Sequence, residues 1–372
     1  MVATPAGVEG QGGIDRIMAT LKHALEARGE RGISVRFVAS RGAGSAIGSL
    51  RYMLAFCARM LASRLRGRLD LVHINLSQNG STYRKMVIAA VARMLRVPYV
   101  LHLHGADYHV FWPQKGLLNR AIRTLFTQAA QVVVLGSVWR DFVAAKAPGA
   151  AGRIAIVPNA SAPPALVHRG GGDTVHILFL GRVGARKGVP QLGEALHRLK
   201  HLDTWRATIA GDGAVELARK TAAELGIAER VALPGWVGPQ GVAELLASAD
   251  ILVLPSFAEN LPVSVIEGMG SGLAVVTTPV GAVADIIQDG QSGLLVPPGD
   301  VEALTAALEK VVRDPALRQR LGEAAQAVHR ERLHPTPFAE AICRIWTAAA
   351  LAPKGRKAAI RPASVIGPGG EE

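Results

Sequence analysis

Residues 251–272 read ILVLPSFAENLPVSVIEGMGSG. The opening ILVL is apolar throughout, as a strand covered on both faces of a parallel sheet must be. SFAEN is a short polar turn, and Pro262 suits the first position of a helix, where its missing N–H is not needed. Strand, turn and helix in this order form one unit of an alternating α/β fold, with Glu259 at the sheet edge and Glu267 within the first two helical turns. In a chain of formal net charge +13, two acids eight positions apart either decorate a solvated helix or hold a ligand rich in hydroxyl groups.

The same rhythm extends in both directions. Strands are expected at 175–181, 205–211, 230–235, 273–279 and 292–300, with helices at 189–201, 215–226 and 241–250 and a helical turn after Gly281. In the first half an amphipathic helix (12–29) follows a glycine pair, strands fall at 33–40, 70–76, 97–105 and 131–136, and helices at 49–68, 82–95, 116–129 and 137–145. Only Met1–Thr4 precede the glycine loop, so the first strand is expected to be stunted. A chain of 372 residues exceeds one comfortable core, and a Pro- and Gly-rich segment separates the halves. The expected division is a first Rossmann-like domain at 1–160, a linker at 161–173, a second Rossmann-like domain at 174–350, and a disordered tail at 351–372. Two doubly wound α/β domains joined in this way face each other across a cleft, and such sheets bind ligands beyond the carboxyl ends of their strands.

Composition narrows the class. Cys57 and Cys343 match no metal or redox spacing and fit a reducing cytoplasm. No run reaches the roughly 20 apolar residues of a membrane-spanning helix; the nearest, 52–65, is interrupted by Arg59, and no signal peptide is visible. Residues 1–172 carry 22 Lys and Arg against 7 Asp and Glu, whereas residues 173–372 carry 20 against 22. That asymmetry points the first half at an anionic surface or polymer. Its arginines gather on the helices at 51–68 (Arg51, Arg59, Arg64, Arg66, Arg68) and 84–96. Near an anionic leaflet each is worth about 1 kcal/mol, although singly such residues also just keep a helix soluble. No basic motif interleaved with aromatics supports binding to nucleic acid.

The distinctive residues fall after strands. GRVGARKG (181–188) places Arg182 and Lys187 on a turn opened by Gly181, Gly184 and Gly188, where two cations and inward backbone N–H groups suit a diphosphate; the alternative is a solvated basic loop. In AGDGA (210–214), Gly211 and Gly213 let a ligand approach the backbone, or simply make a tight turn. Phosphate at the cations and hydroxyls at Glu259 and Glu267 describe a nucleotide sugar.

Together, G-R-x-x-x-x-K-G (181–188), G-D-G (211–213), S-x-x-E-N-L-P-x-S-x-x-E-G-M (256–269) and G-x-x-V-V-T-T-P-V-G (272–281) resemble glycosyltransferase family 4, retaining enzymes of the GT-B fold, over residues 10–345. The resemblance implies that Arg182 and Lys187 hold the donor diphosphate and stabilise its charge as it leaves. It implies that Glu267 accepts hydrogen bonds from the ribose and that Glu259 contacts the transferred sugar. Asn260, Leu261 and Pro262 shape the sugar pocket, largely through backbone, beside Gly181, Gly211, Gly213 and Gly281. Gly12 and Gly13 match the family's glycine loop against the diphosphate. In HLHGAD (102–107), His104 matches the histidine beside the donor sugar, with His102 as its neighbour.

The family further implies a UDP- or GDP-sugar donor and front-face transfer, in which the leaving phosphate helps deprotonate the acceptor. The chain has no Asp-x-Asp, so no metal or other cofactor is expected. HINLSQNGSTYRKMVIAA (73–90) resembles bacterial surface-polysaccharide members in particular. With the basic first half, this suggests a polyprenyl-diphosphate-linked glycan as acceptor, in synthesis of exopolysaccharide, capsule or O-antigen. The implied location is cytoplasmic and peripheral, on the anionic inner face of the membrane. A GT-B-like nucleotide-sugar epimerase and a non-catalytic nucleotide-sugar-binding partner are the alternatives.

Overall fold

In the computed structural model, which describes residues 1–7, 10, 12–29, 32–42, 46–170 and 172–351, the apolar runs become two six-stranded sheets. The tail expected to be disordered lies outside the described residues, apart from Leu351. The first sheet comprises β1 (Val2–Thr4), β2 (Phe37–Ala39), β3 (Val72–Leu76), β4 (Tyr99–Leu103), β5 (Gln131–Val134) and β6 (Ile154–Ile156), in the order β2-β1-β3-β4-β5-β6. Between them run α1 (Gly13–Arg28), α2 (Ala46–Leu65), α3 (Gly80–Met94), α4 (Tyr108–Phe111), α5 (Gly116–Thr127) and α6 (Ser137–Lys146). The second sheet comprises β7 (Val175–Leu180), β8 (Trp205–Ala210), β9 (Val231–Gly235), β10 (Ile251–Leu254), β11 (Ala274–Thr277) and β12 (Leu294–Leu295), in the order β12-β11-β10-β7-β8-β9. Its helices are α7 (Val189–Arg198), α8 (Val215–Glu224), α9 (Pro239–Ser248), α10 (Val263–Gly270), α11 (Val301–Arg313) and α12 (Pro315–Val328).

Every strand pair is parallel. β3, β4, β7 and β10 are buried along their whole length, which is why they read as largely apolar runs, interrupted only by the buried His73, Asn75, His102 and His176. Chain order reverses between β1 and β3 in one sheet and between β7 and β10 in the other, and ligands of open α/β sheets bind at such switch points. The distinctive loops follow these strands.

Besides α4, α11 and α12, which were not anticipated, four details differ from the sequence reading. β6 was not anticipated, because this partly exposed edge strand is only three residues long. β12 shrinks to two residues, since the prolines after it end the ladder. Pro262 sits at the N-cap of α10 rather than inside its first turn. The largest difference is a last helix, α13 (Pro335–Leu351), which leaves the second half and packs on the first sheet. Its Phe338, Ile342 and Trp346 join Ile17, Met18 and Leu21 of α1 and Val2, Val100 and Val133 of the strands. Each such buried side chain contributes roughly 1.5–3 kcal/mol. Residues 335–350, expected to close the second domain, therefore complete the core of the first half. The return passes through a π-helical turn, His329–Leu333, which meets the other crossing segment: Ser161 N–H donates to Leu333 O at 3.1 Å, and Ser161 Oγ lies 3.0 Å from His329 Nε2.

Candidate active site

The loops at the two switch points enclose a cleft of about 640 Å³ lined by both halves. Of the residues singled out in the sequence, Gly13, His104, Gly181, Arg182, Lys187, Gly211, Glu259, Asn260, Leu261, Pro262 and Glu267 line it. Gly12, Gly213, Gly281 and His102 do not; they stand behind the lining, Gly12 as the N-cap of α1.

The basic loop after β7 and the acidic turn after β10 are built as one unit. Phe257 N–H donates to Arg186 O at 2.9 Å, and Arg186 donates through Nη1 to Ala258 O at 2.7 Å. Gly211 stands where the β8 loop touches the β7 loop: it has φ of +154°, and a Cβ there would lie 1.8 Å from Gly181 O. Gly281 does the same for the acidic turn, with φ of +61° and a Cβ position 2.3 Å from the carbonyl oxygens of Glu259 and Asn260. Any side chain at either place would push a loop out of the site.

Lys187 Nζ donates to Glu259 Oε1, which also accepts from Ser256 Oγ at 3.0 Å. Both charged side chains are nearly buried, at 14% and 11% exposed. Sequence reasoning put the cation at the phosphate end and the acid at the sugar end of the site; here they touch. An isolated charge at this depth costs several kcal/mol, and the pairing, with the Ser256 hydrogen bond, offsets part of that cost. Arg182, by contrast, is 73% exposed and 3.9 Å from Asp212, a contact worth little in itself. It is free to follow a ligand.

Glu267 is paired across the cleft, with Arg16 of α1. Burial pushes its carboxyl pKa up and Arg16 opposes that shift. More bonds cross nearby: Asn260 Nδ2 donates to Leu103 O at 3.2 Å, Asn159 Nδ2 to Leu261 O at 2.9 Å, and Ser137 Oγ to Asp285 Oδ1 at 2.7 Å. Asn260 thus acts through its side chain as well as its backbone, tying the acidic turn to the end of β4.

His104 follows β4 at that point. Its Nε2 lies 2.9 Å from Asn75 Oδ1, and burial, with His73 nearby, lowers its pKa to about 3, so the ring is neutral at physiological pH. His102 points into the sheet instead. Its ring centroid is 4.0 Å from that of His104, its Nδ1 is 3.3 Å from His73 Nε2, and burial holds its pKa well below the usual imidazole range.

Sequence reasoning missed Arg16, Arg186, Ser77, Gln78, Asp107 and the exposed Trp236, all of which line the cleft. Arg186 stood in plain view between Gly184 and Lys187. Ser77 and Gln78 follow β3, Asp107 closes the HLHGAD segment after β4 and Trp236 follows β9, so their place after strands was a usable signal; Arg16 carries none.

Known proteins corroborate the architecture. The model of the group 1 glycosyl transferases matches residues 169–328, and that of the glycosyl transferase 4-like domain matches residues 9–160. The chain is 27% identical over 289 residues to alpha-D-kanosaminyltransferase of Streptomyces kanamyceticus, covering 72% of this chain and 75% of that protein. It is 34% identical over 152 residues to the lipopolysaccharide core biosynthesis glycosyltransferase LpsE of Rhizobium meliloti strain 1021, covering 41% and 43%. Among solved structures, Anabaena Alr3699/HepE in complex with UDP and glucose shares the fold with a TM-score of 0.72 at 18% identity, over 93% of this chain and 98% of that one. With a 4-like domain in its first half and a group 1 domain in its second, both built on parallel sheets around one cleft, this chain belongs to the glycosyltransferases of the GT-B fold, of the family 4 type.

Proposed function

We propose that this glycosyltransferase moves a hexose-type sugar from a UDP- or GDP-sugar, with retention, to a glycan carried on a polyprenyl diphosphate. The observation that carries the donor half is the convergence of Arg182 and Lys187 with Glu259 and Glu267 on one cleft at the switch points. The cations take the diphosphate, Glu267 the ribose hydroxyls and Glu259 the sugar, through the Oε2 that Lys187 and Ser256 leave unused. The bond from the anomeric carbon to the phosphate oxygen breaks as the acceptor oxygen attaches on the same face, and the acceptor proton passes to the leaving phosphate. Stabilising that phosphate is the largest single contribution the protein makes. Arg182 and Lys187 supply it without a metal.

The basic first half supports the lipid-borne acceptor. On α2, Leu50, Leu54, Leu61 and Leu65 are exposed on one stripe, Leu65 by 79%, and Met94 at the end of α3 by 82%. Arg51, Arg59, Arg66, Arg68, Arg93 and Arg96 are exposed around them. Apolar side chains ringed by arginines suit the surface of an anionic bilayer, and among the described residues no helix is long and apolar enough to cross one. Such attachment leaves the protein on the cytoplasmic face.

The test is to incubate the purified protein with labelled UDP-glucose, UDP-GlcNAc or GDP-mannose and a membrane extract. Label in the lipid fraction, with the anomeric configuration kept, is the expected result. Free sugar or an epimer formed without acceptor overturns the reading. Cosedimentation with anionic vesicles should fall as salt rises, and binding that is unchanged at high salt excludes the arginine contribution.

A further inference from the structure

We propose that Asn75 is a positioning residue that holds His104 in a single neutral tautomer, with the proton on Nε2 and the bare Nδ1 offered to the sugar side of the cleft. The inference rests on the reading that places His104 beside the donor sugar. Asn75 lies in β3 and is 1% exposed. Its Nδ2 donates to Ala3 O at 3.2 Å, and a carbonyl can only accept, so the orientation of the amide is fixed. Oδ1 is therefore the atom 2.9 Å from His104 Nε2, and since it too can only accept, Nε2 carries the proton. A neutral imidazole has one N–H, which leaves Nδ1 as a lone pair. Among the described residues no protein donor meets that Nδ1, and the ring lines the cleft.

The same logic runs back to α13. Trp346 Nε1 can only donate, and it lies 2.9 Å from His73 Nδ1, so the neutral His73 ring keeps its proton on Nε2. His73 Nε2 in turn lies 3.3 Å from His102 Nδ1, which therefore accepts, and the centroid of the His102 ring is 4.0 Å from that of His104. Asn75 is thus an acceptor held from behind by Ala3, and the ring beside His104 is His102, whose tautomer follows from His73 and the tryptophan. The consequence for recognition is directional: His104 accepts a hydrogen bond and so selects a donor sugar bearing a hydroxyl at the point it faces.

Nitrogen-15 NMR of the full chain labelled at histidine tests this directly, with the His104→Gln variant identifying the signals of that ring. The expected spectrum shows a protonated Nε2 and a pyridine-like Nδ1 at neutral pH. Asn75→Leu, which removes the acceptor at similar size, should release His104 into a mixture of tautomers and lower kcat/KM on the order of 10–100-fold, the scale known for partners that orient a metal-bound histidine. Trp346→Phe, which keeps the packing, should free the tautomer of His73 while leaving that of His104 unchanged, with no more than a few-fold loss. A proton on Nδ1 in the wild-type protein overturns the proposal whether or not any variant folds. So does a folded Asn75→Leu protein whose His104 signals are unchanged. If the tautomer is as expected but His104→Gln transfers sugar normally, the fault lies with the placement of His104 beside the sugar, and the positioning role falls with it.

Discussion

Lys187 meets Glu259 within one half of the molecule, whereas Arg16 reaches Glu267 from the other. The first pair is nearly buried, and its partners belong to loops already bonded to each other. In the second pair Arg16 is 49% exposed, so its attraction is screened and its contribution to stability is small. The contrast teaches that one carboxylate is built into its loop while the other is held by a contact that can be exchanged. On the proposed reading, a ribose hydroxyl that takes Glu267 would displace a half-exposed Arg16. Nothing displaces Lys187 from Glu259 without leaving a buried charge unpaired.

The strongest attempt to break this contrast is Lys187→Ala. Turnover should fall on the order of 10²–10³-fold, the scale for losing one group that stabilises developing charge. Folding should also lose about 3–5 kcal/mol, because Glu259 is left alone. Adding Glu259→Gln separates the two effects: thermal stability should recover while single-turnover rates stay low. Recovery of both together would mean that Lys187 serves only its partner.

Next in size is Glu267→Gln, which weakens hydrogen bonds to a charged acceptor worth about 1.5–3 kcal/mol. Donor KM should rise roughly tenfold or more, with much less change in Tm. The same variant has a pH signature. Burial raises the folded pKa of Glu267, so its favourable contribution is present below the unfolded carboxylate value and is lost as pH rises through the folded one. Stability curves of wild type and variant should accordingly separate across the acid range, with the variant gaining on the wild type as pH increases. Parallel curves would show that Arg16 cancels the burial.

The smallest effect belongs to Arg16→Gln. A loss of no more than about 1 kcal/mol, shrinking as salt is added, is expected from a half-exposed pair. Hydrogen exchange of α10 amides should rise modestly if the contact steadies the closed cleft. A loss as large as that of Lys187→Ala would erase the distinction between the two pairs.

The fold was largely legible because fully buried parallel strands leave predominantly apolar runs, as in ILVL and VHILFL. The acids and cations were legible because a parallel sheet delivers whatever follows its strands to one edge. What escaped was everything decided between elements. Lys187 and Glu259 are 72 positions apart and Arg16 and Glu267 are 251 apart, and no periodicity announces either contact. Asn75 sat unnoticed inside a strand, since an asparagine there has no signature until its neighbours are known. The amphipathic pattern of α13 declares an apolar face, but not that this face belongs to the opposite sheet.

That returning helix has a mechanical meaning. The polypeptide passes between the two sheets twice, once through the segment around Ser161 and once through the turn at His329–Leu333, and the passages are laced together by hydrogen bonds. A body tethered by a single strand can swivel about it freely. Two strands side by side act as the spine of a book: they resist twist and leave one rotation, the opening and shutting of the covers. Residues that face each other across the cleft are thereby restrained from sliding out of register.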